Sequence, residues 1–165
     1  MRIPRLTGRV AGALAVLAVL SVLSACGPAA KPVVALNYAG GRPTALIVSC
    51  PGFKIDSVYV NDITTPSATD KWSLSTQENA APAQITLLDA PPGWTVKTDT
   101  IKTFEAAKKY MVVPFASPGG PATSVAFTVA QLQALKPGQV LISKGNSQSA
   151  AVSEKKFRDE AADSC

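Results

Sequence analysis

The stretch TALIVSCPGFKIDSVYV, residues 44–60, indicates the fold class of this chain. Two runs rich in β-branched and aromatic residues flank a Pro-Gly dipeptide, which is the pattern of two strands joined by a turn. In the second run the apolar residues change from one face to the other near Ser57. This change predicts a β-bulge at that point, or a strand that is buried on both faces.

Further short strands follow at similar spacing, with turn residues between them. In 71–75 the alternation points Trp72 and Leu74 inward, and a proline in 109–115 indicates an edge strand or a strand end. Because the strands do not alternate with long helices, the sequence predicts an all-β fold, an immunoglobulin-like β-sandwich of about seven strands over residues 44–145. The other predicted strands are 33–36, which is weak, 84–88, 123–129 and 140–143.

Helical signals are few within this pattern. Residues 103–110 fit a short helix or a plain connection between strands, and Thr128 with Gln131 has the spacing of a capping box. The C-terminal part, residues 146–165, is predicted to be a polar linker followed by a helix over 153–162. That helix has three oppositely charged i,i+4 pairs, but its apolar stripe is too narrow to dock firmly by itself.

The N-terminal residues have the features of an export signal. Three arginines precede the apolar run VAGALAVLAVLSV, residues 10–22, which is too short to span a bilayer comfortably. The tetrapeptide LSAC, residues 23–26, follows directly, and this arrangement resembles the lipobox of bacterial lipoprotein signals. The resemblance is confined to this region and implies cleavage before Cys26 and attachment of a diacylglycerol to its sulfur. Residues 1–25 are then the signal peptide, and 26–43 are the lipidated N-terminus and a short tether.

The lipid on Cys26 would hold the protein at the outer face of the cell membrane. The Ala- and Val-rich composition looks like that of small lipoproteins from high-GC actinobacteria. Three of the 16 basic residues lie in the signal, which leaves 13 against 11 acidic residues, so charge does not indicate a nucleic-acid partner. The chain has no histidine, which excludes His-dependent catalysis and His-ligated metal sites.

Lipidation of Cys26 would leave two cysteines, Cys50 and Cys165. In an exported protein two cysteines predict one disulfide, although two free thiols are the alternative. The disulfide would tie the predicted C-terminal helix back to an early strand. In the loop-entropy description, so long a closure is worth about 4–5 kcal/mol.

No residue pattern indicates a catalytic centre, a metal site or a cofactor. Asp62 and Asp70 flank one loop, and either is able to meet Asp89 or Asp99 in the fold, but their spacing does not demand it. A calcium site from Asn61, Asp62 and Asp70 would lack the dense carboxylate loop that such sites use. We therefore expect these carboxylates to be surface groups and expect no enzyme activity.

Aromatic side chains are better candidates for binding. Trp94 follows the turn 91–93, so its ring is expected to be partly exposed, and it is the possible binding residue. Tyr38, Tyr59 and Trp72 complete a conceivable aromatic platform, although core packing is favoured for Trp72. We expect a non-enzymatic binding or scaffolding module for a protein or cell-wall partner. A carrier of a small ligand or glycan is the alternative, and a hydrolase is the third hypothesis.

Overall fold

The structure, a computed structural model, describes residues 30–77, 81–117 and 119–165. It confirms the predicted all-β sandwich with a short C-terminal helix tied back by a disulfide. The described residues form eleven strands, more than the seven or so that were predicted. The strands and helices are β1 (Val34–Ala39), β2 (Arg42–Ile47), β3 (Ile55–Asp62), β4 (Lys71–Ser75), β5 (Gln84–Thr86), β6 (Thr95–Asp99), β7 (Tyr110–Ala116), β8 (Gly120–Pro121), β9 (Val125–Phe127), α1 (Val129–Gln133), β10 (Gln139–Gly145), β11 (Gln148–Ser153) and α2 (Glu154–Asp163).

The strands form two antiparallel sheets with the main core between them. The five-stranded sheet has the order β11-β10-β1-β2-β5. The second sheet has the order β6-β4-β3-β7-β8, with β9 also paired to β7. Trp72 and Leu74 are each 1% exposed and point into the core, as predicted. Other large core side chains are Leu36, Ile85, Tyr110 and Phe127.

The sandwich begins earlier than the sequence prediction placed it. β1 and β2 form a hairpin whose two-residue turn, Gly40–Gly41, has positive φ at both positions. Val34 and Leu36 of β1 are buried, so the prediction of a tether over residues 26–43 is wrong from β1 onward. A Gly-Gly pair between two apolar runs is itself a hairpin signal, because glycine adopts positive φ without steric cost.

The predicted linker after the last strand is also wrong. β10 and β11 form a second tight hairpin, whose turn residues Asn146 and Ser147 have φ of 48° and 56°. Two successive residues with positive φ are typical of the type I′ turn, whose twist matches that of paired strands. β11 therefore belongs to the five-stranded sheet, and α2 follows it directly.

β3 and β7 pair along most of their lengths at the centre of the second sheet. The register shifts between Ile55 and Ser57, which confirms the predicted irregularity in β3. β7 is not an edge strand, because β9 and β8 both pair with its other side. Pro114 lies where this pairing changes from β9 to β8. Its carbonyl accepts a hydrogen bond from the Ala122 N–H at 3.0 Å, so its nitrogen, which cannot donate, points to the same side.

The two helical signals inside the β pattern had different outcomes. α1 begins at the predicted capping box, in which the Thr128 hydroxyl accepts from the Gln131 N–H and the Gln131 side chain accepts from the Thr128 N–H. Residues 103–109 are a plain connection. Within it, the Phe104 ring packs edge-on against Tyr110, with a centroid distance of 4.9 Å.

α2 covers the outer face of the five-stranded sheet. Phe157 and Ala161 of the helix are 2% and 0% exposed, respectively. They pack against Ala35, Leu46 and Val140, which lie on three neighbouring strands. The narrow apolar stripe of α2 and these three strand residues together form a small second core. We call this side of the five-stranded sheet the covered face.

Both ends of α2 are held in place. At its start, the Ser153 hydroxyl accepts a hydrogen bond from the Lys156 N–H at 3.2 Å. At its end, the predicted disulfide joins Cys50 to Cys165, with a Cα–Cα distance of 5.2 Å. The three predicted i,i+4 ion pairs are present along its exposed side.

The first described residues lie beside the end of α2. Lys31 donates from Nζ to the Ser164 carbonyl at 2.9 Å, and its own carbonyl accepts from the Thr123 N–H at 2.8 Å. β1 starts next to this point and runs to the Gly40–Gly41 turn. The sandwich therefore has two ends. We call the one at Lys31 the Lys31 end and the one at the Gly40–Gly41 turn of the β1–β2 hairpin the hairpin end. None of the helices formed by the described residues is long and apolar enough to cross a membrane.

Candidate functional site

The outer face of the second sheet carries an exposed apolar patch. It consists of Tyr59 on β3, Met111, Val113 and Phe115 on β7, and Pro121 on β8, and we call it the β3–β7 patch. Tyr59 is paired with Val113, and Phe115 with Pro121. Tyr59 and Phe115 are 41% and 37% exposed, which is unusual for large aromatic side chains at the centre of a sheet.

The sequence of β7 explains why this surface is apolar. The strand reads YMVVPFA and has an apolar residue at every position, whereas a strand with one solvated face alternates between apolar and polar residues. Every second residue from Tyr110 to Ala116 is buried. The three residues between them point outward and form the centre of the patch.

The centre of the patch is uncharged, and the Asp56 carboxylate, which accepts from the Ser57 hydroxyl at 2.8 Å, lies at its Lys31 end. Its cross-strand neighbours on the outer face are Ser57 and Asn61 on β3 and Ser73 on β4. Lys71, paired with Asn61, lies at the hairpin end of this surface. A surface with Tyr, Met and Phe and no charge at its centre has the composition of the core of a protein–protein interface.

A second candidate site is a groove at the hairpin end. It has a volume of about 340 Å³ and opens between the β1–β2 turn, the turn after β5, the connection before β7 and the start of α1. Tyr38, Leu88 and Phe104 supply apolar and aromatic walls, and Arg42 and Lys102 supply charge. We call it the end groove.

Both cations of the end groove are already paired with carboxylates, and one of its wall residues has a strained backbone. Arg42 lies 3.3 Å from Asp89, and Lys102 is paired with Asp99, so both cations already have carboxylate partners. Leu88 has a φ of 65°, which costs a non-glycine residue about 1–2 kcal/mol. The strained turn places Leu88 partly against the core, at the wall of the groove.

Asp62 and Asp70 meet in the fold, on either side of the Lys108 ammonium. Lys108 Nζ lies 3.3 Å from Asp62, 3.5 Å from Asp70 and 2.9 Å from Glu105. Burial raises the pKa of the Asp62 carboxyl, but hydrogen bonds from Thr64 and Lys108 outweigh it and bring the pKa below its usual value. Hydrogen bonds to Glu105 and Asp62 raise the pKa of Lys108. The Lys108 ammonium thus lies among these carboxylates, where a bound metal ion would have to lie. It links the loop after β3 to the connection before β7.

Of these carboxylates, only Asp62 is buried. Over the ranges 30–77, 81–117 and 119–165, no group of three or more His, Cys, Asp or Glu side chains is placed to hold a metal ion. Asp89 and Asp99 pair with the two cations of the end groove, Arg42 and Lys102.

The aromatic residues considered in the sequence are dispersed. Trp72 is fully inside the core, Tyr59 belongs to the patch, and Tyr38 lines the end groove. Trp94 is half-buried against the edge of the core and belongs to neither site. The four rings therefore do not form one platform, and a binding role for Trp94 stays a prediction.

The remaining site predictions concern the cysteines. Cys50 and Cys165 form the expected disulfide. Cys26 lies outside the described residues, so its lipidation stays a prediction.

Sequence reasoning did not single out either candidate surface. A signal for the patch was present, because consecutive apolar residues in β7 indicate a strand that is apolar on both faces. No local signal joined Arg42, Leu88 and Phe104, which come from three separate loops.

Comparison with protein-family models, curated proteins and solved structures finds no match to this chain. The two surfaces are therefore interpreted from their own geometry and chemistry.

Proposed function

We propose that this protein is a lipid-anchored, extracytoplasmic β-sandwich that binds a protein partner through the β3–β7 patch and catalyses no reaction. The observation that carries the proposal is the difference between the two outer faces. The chain covers one with its own helix and leaves Tyr59 and Phe115 exposed on the other. Contiguous exposed apolar residues mark interaction surfaces in soluble domains, because burying them releases about 25 cal/mol per Å².

The position of the domain follows from the proposed anchor. Four residues, and so five Cα–Cα steps, separate Cys26 from Lys31, and Lys31 is fixed to the body of the domain through Ser164 and Thr123. An extended chain of that length spans at most about 18 Å. A lipid on Cys26 would therefore hold the sandwich close to the membrane, where its partners must also lie.

The binding proposal is tested by crosslinking the anchored protein in its own membrane and identifying what is captured. A Tyr59→Ser/Phe115→Ser double variant removes the two exposed aromatic rings and is expected to lose the captured partner. Lys155→Ser, at an 85% exposed side chain of α2, is the matched control and should retain it. Equal capture by both variants would show that the patch is not the binding surface.

The anchor is tested separately. Cys26→Ser should release the protein from the membrane fraction or leave an unprocessed precursor. Unchanged acylation and membrane retention in this variant would refute the lipobox interpretation.

A second candidate function is a carrier of a small ligand or glycan, and the end groove is the observation that favours it. Its volume of about 340 Å³ lies at the lower end of the range of ligand pockets. Its aromatic walls would suit the apolar face of a sugar ring or a short acyl chain.

Calorimetry with purified domain and soluble glycans or short-chain lipids tests this alternative. Binding that is lost in Phe104→Ala and retained in the patch double variant would favour the carrier. If such binding were found and no protein partner were captured, the carrier would replace the binding module as the leading function.

A further inference from the structure

We propose that the partner of the β3–β7 patch is a second copy of this chain, anchored in the same membrane and related by a twofold axis along the membrane normal. The inference rests on the proposed function, because it requires the patch to be a binding surface and Cys26 to be the anchor. Its additional content is the identity and the orientation of the partner.

The first argument is the direction in which the patch faces. β7 runs from Tyr110, beside Phe104 at the hairpin end, to Ala116 near the Lys31 end. Pro121, which pairs with Phe115, is followed by a residue that forms a β-bridge with Lys31. The strands of this sheet thus run along the axis between the two ends. With the Lys31 end held at the membrane, the patch faces sideways, parallel to the bilayer surface.

The second argument is symmetry. Two copies with sideways patches and anchors in one bilayer can meet through a twofold axis parallel to the membrane normal. Such an axis keeps each residue at the same height above the membrane, so the level of Tyr59 and Val113 meets the same level of the other copy. Two β-sheets stack in this way at about 10 Å, with their strands nearly aligned.

The third argument is charge. In a twofold interface a surface must be complementary to itself, so any charged residue near the axis would meet its own copy. The five patch residues and their neighbours Ser57 and Ser73 are uncharged, so no like charges meet at the centre of the patch. The nearest charged groups, Asp56 and Lys71, lie at its two ends. The opposite face of the sandwich is different, because the exposed side of α2 is lined with charged residues such as Lys155 and Arg158.

Confinement to a membrane makes a modest interface sufficient. Two anchored copies with a common orientation encounter each other at a far higher effective concentration than the same domains free in solution. A patch with two exposed aromatic rings is therefore able to pair copies in the membrane even where the purified domain remains monomeric.

The test places a photo-reactive benzoylphenylalanine at position 59 of the full chain, in its native membrane, and measures the mass of the crosslinked product. A product of two copies of this chain supports the proposal. A product with a different protein overturns self-association but leaves the proposed binding function intact. The absence of any product, with normal membrane anchoring, overturns both.

Two sets of variants confirm that a two-copy product reflects the proposed geometry. Val113→Cys should give a disulfide-linked dimer on a non-reducing gel, and Lys155→Cys, on α2, should stay monomeric. Phe115→Glu and Phe115→Lys should each weaken the Tyr59 crosslink at least threefold, because like charges would meet across the axis. Co-expression of these two variants should restore the crosslink; failure to restore it would overturn the same-height arrangement.

Discussion

The two outer faces of this sandwich both have apolar residues, but α2 covers only one of them. On the five-stranded sheet, Ala35, Leu46 and Val140 lie beneath Phe157 of α2 and are fully buried. On the second sheet, the apolar residues of the β3–β7 patch lie in equivalent outward positions, yet Phe115 is 37% exposed. The difference shows that an apolar outer face is compatible with this fold in either state, and that the presence of a cover decides which state is found.

The cover is secured by more than its own apolar contacts. The helix contributes two buried residues, which is little for an element of ten residues. The Ser153 cap and the disulfide restrain its two ends, so docking requires less apolar burial. No comparable restraint from the described residues reaches the patch, which is consistent with a surface completed by a binding partner.

Removal of the disulfide is expected to have the largest effect on this difference. The Cys50→Ser/Cys165→Ser double variant should lose about 4 kcal/mol of unfolding free energy, because a closure of 115 residues is released from the unfolded chain. Urea denaturation measures the loss, and hydrogen exchange in β10 should become faster as α2 detaches. Unchanged hydrogen exchange in β10 would mean that α2 docks on the sheet without the disulfide.

A matched pair of phenylalanine substitutions compares the two faces directly. Phe157→Ala should cost about 3 kcal/mol, because it empties the centre of the covered face. Phe115→Ala should change stability by no more than about 0.5 kcal/mol, because its ring is already exposed in the single chain. Denaturation of both variants under the same conditions decides the point. Similar losses for the two would contradict the distinction between covered and exposed faces.

Loss of the helix cap should have a smaller effect that is confined to the covered face. Ser153→Ala is expected to cost about 1 kcal/mol, since the Lys156 N–H loses its acceptor. Ser153→Asn supplies another acceptor at the same position and should retain most of the stability. If both variants behaved alike, the hydroxyl would not be acting as a cap.

Lowering the pH is expected to reduce the free energy of unfolding through Asp62, which lies on the sheet that carries the patch. At neutral pH the carboxylate is ionised and its stabilising contribution is complete. The folded pKa of Asp62 is below its usual value, so its stabilising contribution is complete above the unfolded pKa of about 4 and is lost as the pH falls through the folded pKa. Unfolding measured between pH 6 and pH 2 should therefore show a steeper loss in the native protein than in Asp62→Asn. Parallel curves would mean that the Lys108 contacts do not stabilise the folded carboxylate.

The elements that the sequence predicted correctly are those whose signals are local. The bulge in β3 follows from a change of apolar face, the start of α1 from the Thr128 and Gln131 pair, and α2 from its periodic charges. The disulfide followed from the number of cysteines that lipidation of Cys26 would leave. Each of these features depends on residues close in sequence or on a count, so no tertiary information was needed.

The errors occurred where local signals were ambiguous or silent. Both missed hairpins have two-residue turns. Asn146 with Ser147 is equally compatible with an ordinary loop, and Gly40–Gly41 indicates a hairpin only between two strands, of which the first was weak in the sequence. Pro114 suggested an edge because a proline cannot donate, but the sheet continues past it by changing partner strands. The approach of Arg42 to Asp89, and of Lys108 to Asp62, joins residues more than 40 positions apart, for which the sequence offered no spacing rule.

The sequence by itself determined the fold class, the positions of most strands, the capped start of α1 and the position of α2, since periodicity and capping residues act over short range. The number of cysteines indicated the disulfide. Only the tertiary structure decided which of two apolar outer faces α2 would cover. An apolar residue has the same sequence signature whether it is buried by its own chain or left for a partner, because the hydrophobic effect depends on the area removed from water and not on what removes it.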